Sequence, residues 1–214
     1  MLLIGMFDSP YVRRVAISMR RLGLPFEHRN WSVGTDFDRI REFSPLGRVP
    51  VLVLEDGTPL VESSAILDAI DDRAGPSRAL LPATGISRRE ALRLMSLAIA
   101  AGEKAREQVH ERMVRPPEKY HEPWVNRCRE QMHGALSVIE QACDRRGPSG
   151  WLIEDRLTQA DITVACICTF LSESLQVFDD ASRYPRLHSH NRQCEALPDF
   201  AATHSHWFMA DVRQ

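Results

Sequence analysis

The sequence predicts a small α/β domain of order βαβ-α-ββα followed by an all-helical domain. Three observations carry this. The first 75 residues alternate between short apolar runs and helical periodicity. Residues 76–87, PSRALLPATGIS, break both patterns with two prolines and a glycine. From Arg88 onward every segment is of helix length, with no strand pattern between them. The expected division is therefore a first domain over 1–76, a linker over 77–87 and a helical domain over 88–214.

Each element has a local reason. LLIGMF, from Leu2, is a short apolar strand, after which Val12, Val15, Ala16, Met19 and Leu22 recur at helical spacing until Gly23-Leu24-Pro25 stops them. FEHRNWSV, residues 26–33, has the length and aromatic content of a second strand. Thr35 with Asp38 reads as an acidic capping box opening a short helix through Phe43. Two apolar runs around Asp56-Gly57 predict a hairpin, and Ser63 is placed as the cap of the helix that follows, SAILDAIDDRA. In the second half, four helical segments begin near Arg88, Trp124, Ala160 and Leu187. Thr158 and Asp161 form a capping box for the third of these, with Leu157 and Ile162 as its hydrophobic staple.

Composition narrows the function. In 214 residues, 43% hydrophobic and 26% charged, a net charge of −2 gives no basic face for nucleic acid. Small molecules or proteins are the expected partners. The start, MLLIGMFDSP, has no positive region and too short an apolar run for a signal peptide, and no run approaches a membrane span, so the chain reads as cytoplasmic. Five cysteines without a CxxC pair suggest reduced, mostly buried thiols. Cys166 and Cys168, two apart on a helix, do not face one another. HSH at 188–190 and again at 204–206 invites a metal, but neither triplet has an acidic or cysteine partner at ligand spacing. They read as surface histidines, and no metal is expected.

Four stretches in this order resemble the cytosolic glutathione transferase family over essentially the whole chain: SPYVRR after the first strand, FSPLGRVPVLVLEDG into the hairpin, LVESSAI at the next helix start and GWLIEDRLTQADITVA in the helical half. The serine–proline form of the first is most similar to bacterial members. The resemblance implies a thioredoxin-like first domain, a helical-bundle second domain, a two-fold homodimer, and glutathione as co-substrate. Because activity belongs to sites rather than folds, the residues must supply it.

Glutathione presents an ammonium, two carboxylates, an amide backbone and a thiol. Glu62 and Ser63 stand where a strand meets a helix, so the helix N-terminus and the Ser63 hydroxyl suit the γ-glutamyl carboxylate, Glu62 suits the ammonium, and Ser64 offers a further donor. Ser63 as a plain helix cap is compatible with this. The family pattern implies that Pro50 is cis, which turns the Val49 N–H and C=O outward to pair with the ligand backbone; the dipeptide alone would be read as trans. Arg48 is either a solvated surface arginine or the fork for the glycyl carboxylate.

Ser9, at a strand-to-helix turn, is either the cap of the first helix or the donor that holds the glutathione thiol as thiolate. Tyr11 is a second donor candidate or a pocket wall, and Arg13 a source of positive field or a fold support. Position 9 carries no cysteine, so conjugation or isomerisation fits better than disulfide exchange, though the pair of adjacent serines usual in glutathione-dependent isomerases is absent. Ala101, Ala105 and Gln108 are expected along one side of a cleft, bordering a second-substrate pocket. The rival to a conjugating enzyme is a non-catalytic interaction or stress-response protein on the same fold, against which the intact set of Val49, Pro50, Glu62 and Ser63 argues.

Overall fold

The computed structural model describes residues 1–207 apart from positions 145, 146, 148, 179 and 181. Arg145 and Arg146, expected at the end of a helical segment, and residues 208–214 of the helical domain lie outside the described residues. The first domain runs β1 (Leu2–Ile4), α1 (Pro10–Arg21), β2 (Glu27–Arg29), α2 (Phe37–Arg41), β3 (Val51–Val53), β4 (Pro59–Val61) and α3 (Ser63–Ala74). The sheet order is β2-β1-β3-β4, with β1 and β2 parallel and the other neighbours antiparallel. This is the expected βαβ-α-ββα thioredoxin-like domain, its crossover first and its hairpin second.

Local chemistry accounts for the boundaries. Gly5 ends β1 at φ +129°, and a Cβ there would lie 2.6 Å from Val12 Cγ2 and 2.8 Å from Val49 Cβ, so only glycine lets the start of α1 and the loop before β3 close on the strand end. In the hairpin, the Asp56 carboxylate accepts from the Thr58 N–H at 2.9 Å and Gly57 takes φ +86°. Two expectations are corrected here. β2 stops at Arg29 because the Trp31 N–H turns back onto the Arg29 carbonyl at 2.9 Å, which ends the extended run. Thr35 and Asp38 form no capping box: Asp36 occupies the cap position, and its carboxylate faces back to the Ser32 N–H, the Thr35 hydroxyl and Arg39.

The second domain contains α4 (Gly85–Met113), a single 3₁₀ turn at Pro117–Lys119, α5 (Glu122–Asp144), α6 (Gln159–Leu175), α7 (Pro185–Glu195) and α8 (Pro198–Ala201). No strand occurs among the described residues of this half. α6 is its axis, since every residue from Gln159 to Cys168 is buried, as befits a helix surrounded on all sides. The Asp161 carboxylate closes the capping box, accepting from the Thr158 N–H at 2.8 Å and hydroxyl at 2.7 Å, and also takes the Leu152 N–H at 2.9 Å. Leu157 and Ile162 are both buried beside it, in the positions expected of a staple.

The two halves share a core. Val12, Val15, Ala16 and Met19 of α1 belong to one buried cluster with Ile162, Ala165 and Cys166 of α6, Cys194 of α7 and Phe200 of α8. Between the halves, the buried Asp71 carboxylate accepts the Leu80 and Leu81 N–H groups at 2.9 Å each, and the Leu80 carbonyl accepts from Gln159 N–H at 3.0 Å. The chain leaving α3 is thereby tied to the start of α6.

Asp161 satisfies three donors that would otherwise be stranded in a dry interior. Asp161→Ala should therefore cost about 3 kcal/mol of stability, read as a lowered urea midpoint with an unchanged slope.

Candidate functional site

The site is built outward from α1. Ser9 is the N-cap: its Oγ accepts the Val12 N–H at 3.5 Å, a long bond, and its carbonyl accepts from Arg13 N–H at 2.9 Å. Pro10 fills the first helical position, where the missing N–H costs nothing. The hydroxyl thus caps through a lone pair and keeps its proton for another acceptor.

Arg14, which the sequence reading passed over, is the pivot of the site. Its side chain is 1% exposed, yet no carboxylate lies within hydrogen-bond distance among the described residues. Its partners are hydroxyls: Nε and Nη2 donate to Ser63 Oγ at 3.1 and 2.8 Å, Nη2 also to Ser64 Oγ at 2.8 Å, and Nη1 to Thr163 Oγ1 of α6 at 3.1 Å. Burial lowers the guanidinium pKa to about 10, with the Glu62 carboxylate among the groups that oppose the fall, so it remains charged at neutral pH. Ser63 is consequently not the cap of α3. It is the first helical residue, Glu62 stands at the cap position with φ +67°, and the Ser63 oxygen accepts twice from Arg14, which leaves it only a proton to give.

On the opposite wall the Val49–Pro50 bond is cis, and the Val49 backbone, two residues before β3 begins, has no backbone partner among the described residues. Arg48 is half-exposed and lies 4.0 Å from Glu62 Oε1 and 3.6 Å from Glu103 Oε1 on α4. Glu103 is held in turn by Arg106 at 2.5 Å. A line of alternating charge, Glu62–Arg48–Glu103–Arg106, runs from the start of α3 across to α4. Glu103 was not foreseen, since nothing in the sequence marks which charged residue of a long helix faces the other domain.

Tyr11 points at α4. A Cβ on Gly102 would lie 3.1 Å from its hydroxyl and 2.6 Å from Ile167 Cδ1, so this glycine makes the room in which the phenol sits. The buried hydroxyl makes no close hydrogen bond among the described residues, and burial together with the nearby Glu103 carboxylate raises its pKa, keeping the proton on. Ala101, Ala105 and Gln108, expected to line a pocket, are instead 0, 0 and 2% exposed. Both alanines sit in the core of the helical domain, and Gln108 Nε2 binds the Lys104 carbonyl and lies 3.7 Å from Met132 Sδ. The small side chains let α4 pack closely within the bundle. The face turned to the first domain is the neighbouring one that carries Glu103 and Arg106. Arg13 is a fold support: it forks onto Glu195 at 2.7 and 2.6 Å and reaches the Phe200 carbonyl at 3.0 Å.

All five cysteines are buried, and burial pushes the thiols of Cys166, Cys168 and Cys194 up, Cys166 to about 12, so the chain supplies no reactive thiol of its own. The histidine triplets differ from expectation. His190 is fully buried, with Nε2 3.6 Å from Asp161 Oδ1 and 3.7 Å from Cys194 Sγ. His204 and His206 do have an acidic neighbour, Glu173 of α6, which is remote in sequence and adjacent in space. Two concavities of about 410 and 460 Å³ lie elsewhere, one lined by Phe7, Leu24, His28 and Thr203, the other by Thr169, Glu173, Asn191 and His204.

A thioredoxin-like sheet joined through α1 and α6 to a helical domain, with serine hydroxyls at a helix start facing a cis-proline loop, is the architecture of the glutathione-transferase class. The family model for the glutathione S-transferase N-terminal domain matches residues 3–78, and that for its C-terminal domain matches residues 122–190. The chain belongs to the glutathione S-transferase family. An uncharacterized GST-like protein, YibF of Escherichia coli K12, is 29% identical over 80% of this chain and 82% of its own length. A glutathione S-transferase from Methylobacterium radiotolerans, solved in complex with glutathione sulfonate, superposes with a TM-score of 0.91 at 29% identity, covering 100% of this chain and 98% of the other. A family member from Pseudomonas fluorescens Pf-5 with bound glutathione gives a TM-score of 0.82 at 25% identity over 94% and 97% of the two chains.

Because Ser63 Oγ takes two of the four hydrogen bonds of a buried cation, Ser63→Ala should cost about 2 kcal/mol of stability even without ligand. Ser64→Ala, which removes one, should cost less. Thermal melts of the two variants check the order.

Proposed function

We propose that the chain is a glutathione transferase that binds glutathione between the cis-proline loop and the start of α3 and adds its thiolate to a small electrophile. The observation that carries this is the pair of serines at the α3 N-terminus. With the Ser63 lone pairs taken by Arg14, its proton, the Ser64 hydroxyl and the open N–H groups of the first turn form a donor set above a buried positive charge, matched to the γ-glutamyl carboxylate. The exposed Glu62 carboxylate suits the ammonium. The unpaired Val49 backbone suits the cysteinyl amide, and Arg48, drawn off its neighbouring carboxylates, suits the glycyl carboxylate. The relatives solved with glutathione sulfonate and with glutathione support the same ligand.

In this reading the thiol proton leaves to solvent and the Ser9 hydroxyl donates a hydrogen bond to the thiolate sulfur while keeping its own proton; the sulfur pair forms the new C–S bond as the electrophile's bond breaks, its electrons leaving with a departing anion or, at an activated double bond, taking a proton from solvent. The positive end of α1 adds to the same effect, through the Tyr11 N–H that Pro10 and the Ser9 cap leave unused. Each unit by which the thiol pKa falls from about 8.5 yields up to about tenfold more thiolate at neutral pH. We place the chain in the cytoplasm as a homodimer, which the exposed Phe37, Leu46, Leu92 and Trp124 side chains support. The domain limits of 1–76 and 88–214 belong to the same proposal, although α4 already begins at Gly85.

Binding and chemistry should separate. Glu62→Ala should weaken glutathione affinity by about 1–3 kcal/mol in calorimetry, with little change in the pKa of the bound thiol. Ser9→Ala should leave affinity nearly intact while raising that pKa, followed by thiolate ultraviolet absorbance against pH, and should slow conjugation of a model electrophile in parallel. An unshifted pKa beside a lowered melting temperature would reduce Ser9 to a helix cap.

A further inference from the structure

The second concavity, on the face of α6 between α7 and the segment after α8, carries chemistry that glutathione conjugation does not use. Glu173 stands near the end of α6, and the segment after α8 folds back across it. Glu173 Oε1 is 3.0 Å from His204 Nε2 and 3.4 Å from His206 Nδ1, and one donor atom from each of the three residues lies within 4.8 Å of the other two. The other carboxylate oxygen is fixed, accepting the Trp207 N–H at 2.7 Å, while the Trp207 ring packs edge-on against Phe170 at 6.4 Å. Side-chain exposures of 21, 34 and 89% for Glu173, His204 and His206 leave a path from solvent.

Four ligands at 2.0–2.1 Å around a zinc ion stand about 3.3 Å apart in a tetrahedron. The two Glu173–histidine separations already match, and the remaining adjustment falls on an exposed imidazole in a short non-helical segment. Two imidazoles and one carboxylate are the donors of borderline transition metals, whereas magnesium and calcium prefer all-oxygen sets. The second carboxylate oxygen, held by a backbone N–H, provides the outer support that such ligands need to stay oriented.

We propose that Glu173, His204 and His206 bind a divalent transition-metal ion of the zinc type, with water completing the coordination, and that the ion fastens the segment after α8 to α6. The site is independent of the glutathione reading, since it shares no residue with it. Histidines two apart in a non-helical segment can turn both rings to one point, as the 4.9 Å centroid separation of His204 and His206 shows. The earlier triplet cannot do the same, because its His190 is sealed in the core.

The test uses the full, untagged chain, stripped with chelator and titrated with zinc chloride by calorimetry and by competition with a chromophoric chelator. One zinc per chain is expected, with affinity falling at least tenfold in each of Glu173→Gln, His204→Ala and His206→Ala. His188→Ala should bind as the unsubstituted chain does, copper(II) should bind more tightly than zinc, and millimolar magnesium should not compete. Glu173→Gln keeps an acceptor for the Trp207 N–H, and the His206 side chain is 89% exposed, so neither change threatens the fold. Zinc bound with unchanged affinity by the His204→Ala/His206→Ala double variant would overturn the proposal. So would failure of the unsubstituted chain to bind zinc at tenfold molar excess, which would leave Glu173 and its histidines an ion pair only.

Discussion

The structure turns on two adjacent arginines of α1, both withdrawn from water and facing different parts of the molecule. Arg13 forks onto Glu195 of α7, while Arg14 is held by hydroxyls from α3 and α6. A buried guanidinium that loses its partners is among the costlier defects a core can carry. α1 can therefore occupy its place only when the start of α3, the first turns of α6 and the end of α7 are each in position. Apolar packing of Val12, Val15 and Met19 supplies the attraction, but it is tolerant of rotation and slip; the two cations are not. This makes the relation of the two domains a fixed quantity rather than a loose contact.

The same arrangement sets a charged face of α4 beside a tightly packed one. α4 uses Ala98, Ala101 and Ala105 to approach the interior of its own domain and gives its adjacent face, with Glu103 and Arg106, to the first domain. Gly102 stands at the border, where it admits both Ile167 and the phenol of Tyr11. A helix that must serve a dry core and a charged face at once has room for little more than small residues at the boundary.

Much of this was legible in the sequence. The alternation of strand and helix periods, the Asp56-Gly57 turn and the Thr158–Asp161 capping box each rest on contacts between residues close in the chain, and each stands as expected. The cis Val49–Pro50 bond was legible only through family resemblance, because the dipeptide itself favours trans. Rotation about a helix axis was not legible: Ala101, Ala105 and Gln108 lie a fraction of a turn from the face that meets the cleft, and periodicity is too coarse to choose between such neighbours. Nor were partners across the fold. Ser63 reads as a cap until Arg14, 49 positions earlier, takes its oxygen, and His204 reads as a surface residue until Glu173, 31 positions earlier, is brought beside it. A hint was present in α1, where the polar Arg13, Arg14 and Ser18 stand among apolar core positions; Arg14 and Ser18 reach Thr163 and Gln159 of α6, and Ser18 also donates to the Arg14 carbonyl one turn back.

The start of α3 carries a cost of its own. Glu62 has φ +67°, a backbone setting that costs a side-chain-bearing residue on the order of 1 kcal/mol or more and costs glycine almost nothing. Glycine there would give a more stable chain and glutamate a less stable one. If Glu62 holds the ammonium as proposed, selection for stability and selection for binding pull this position in opposite directions, which makes it a natural recorder of use. In a lineage that keeps the fold but abandons the ligand, drift to glycine at position 62 would be favoured early, and a retained glutamate is the mark of a site still under load.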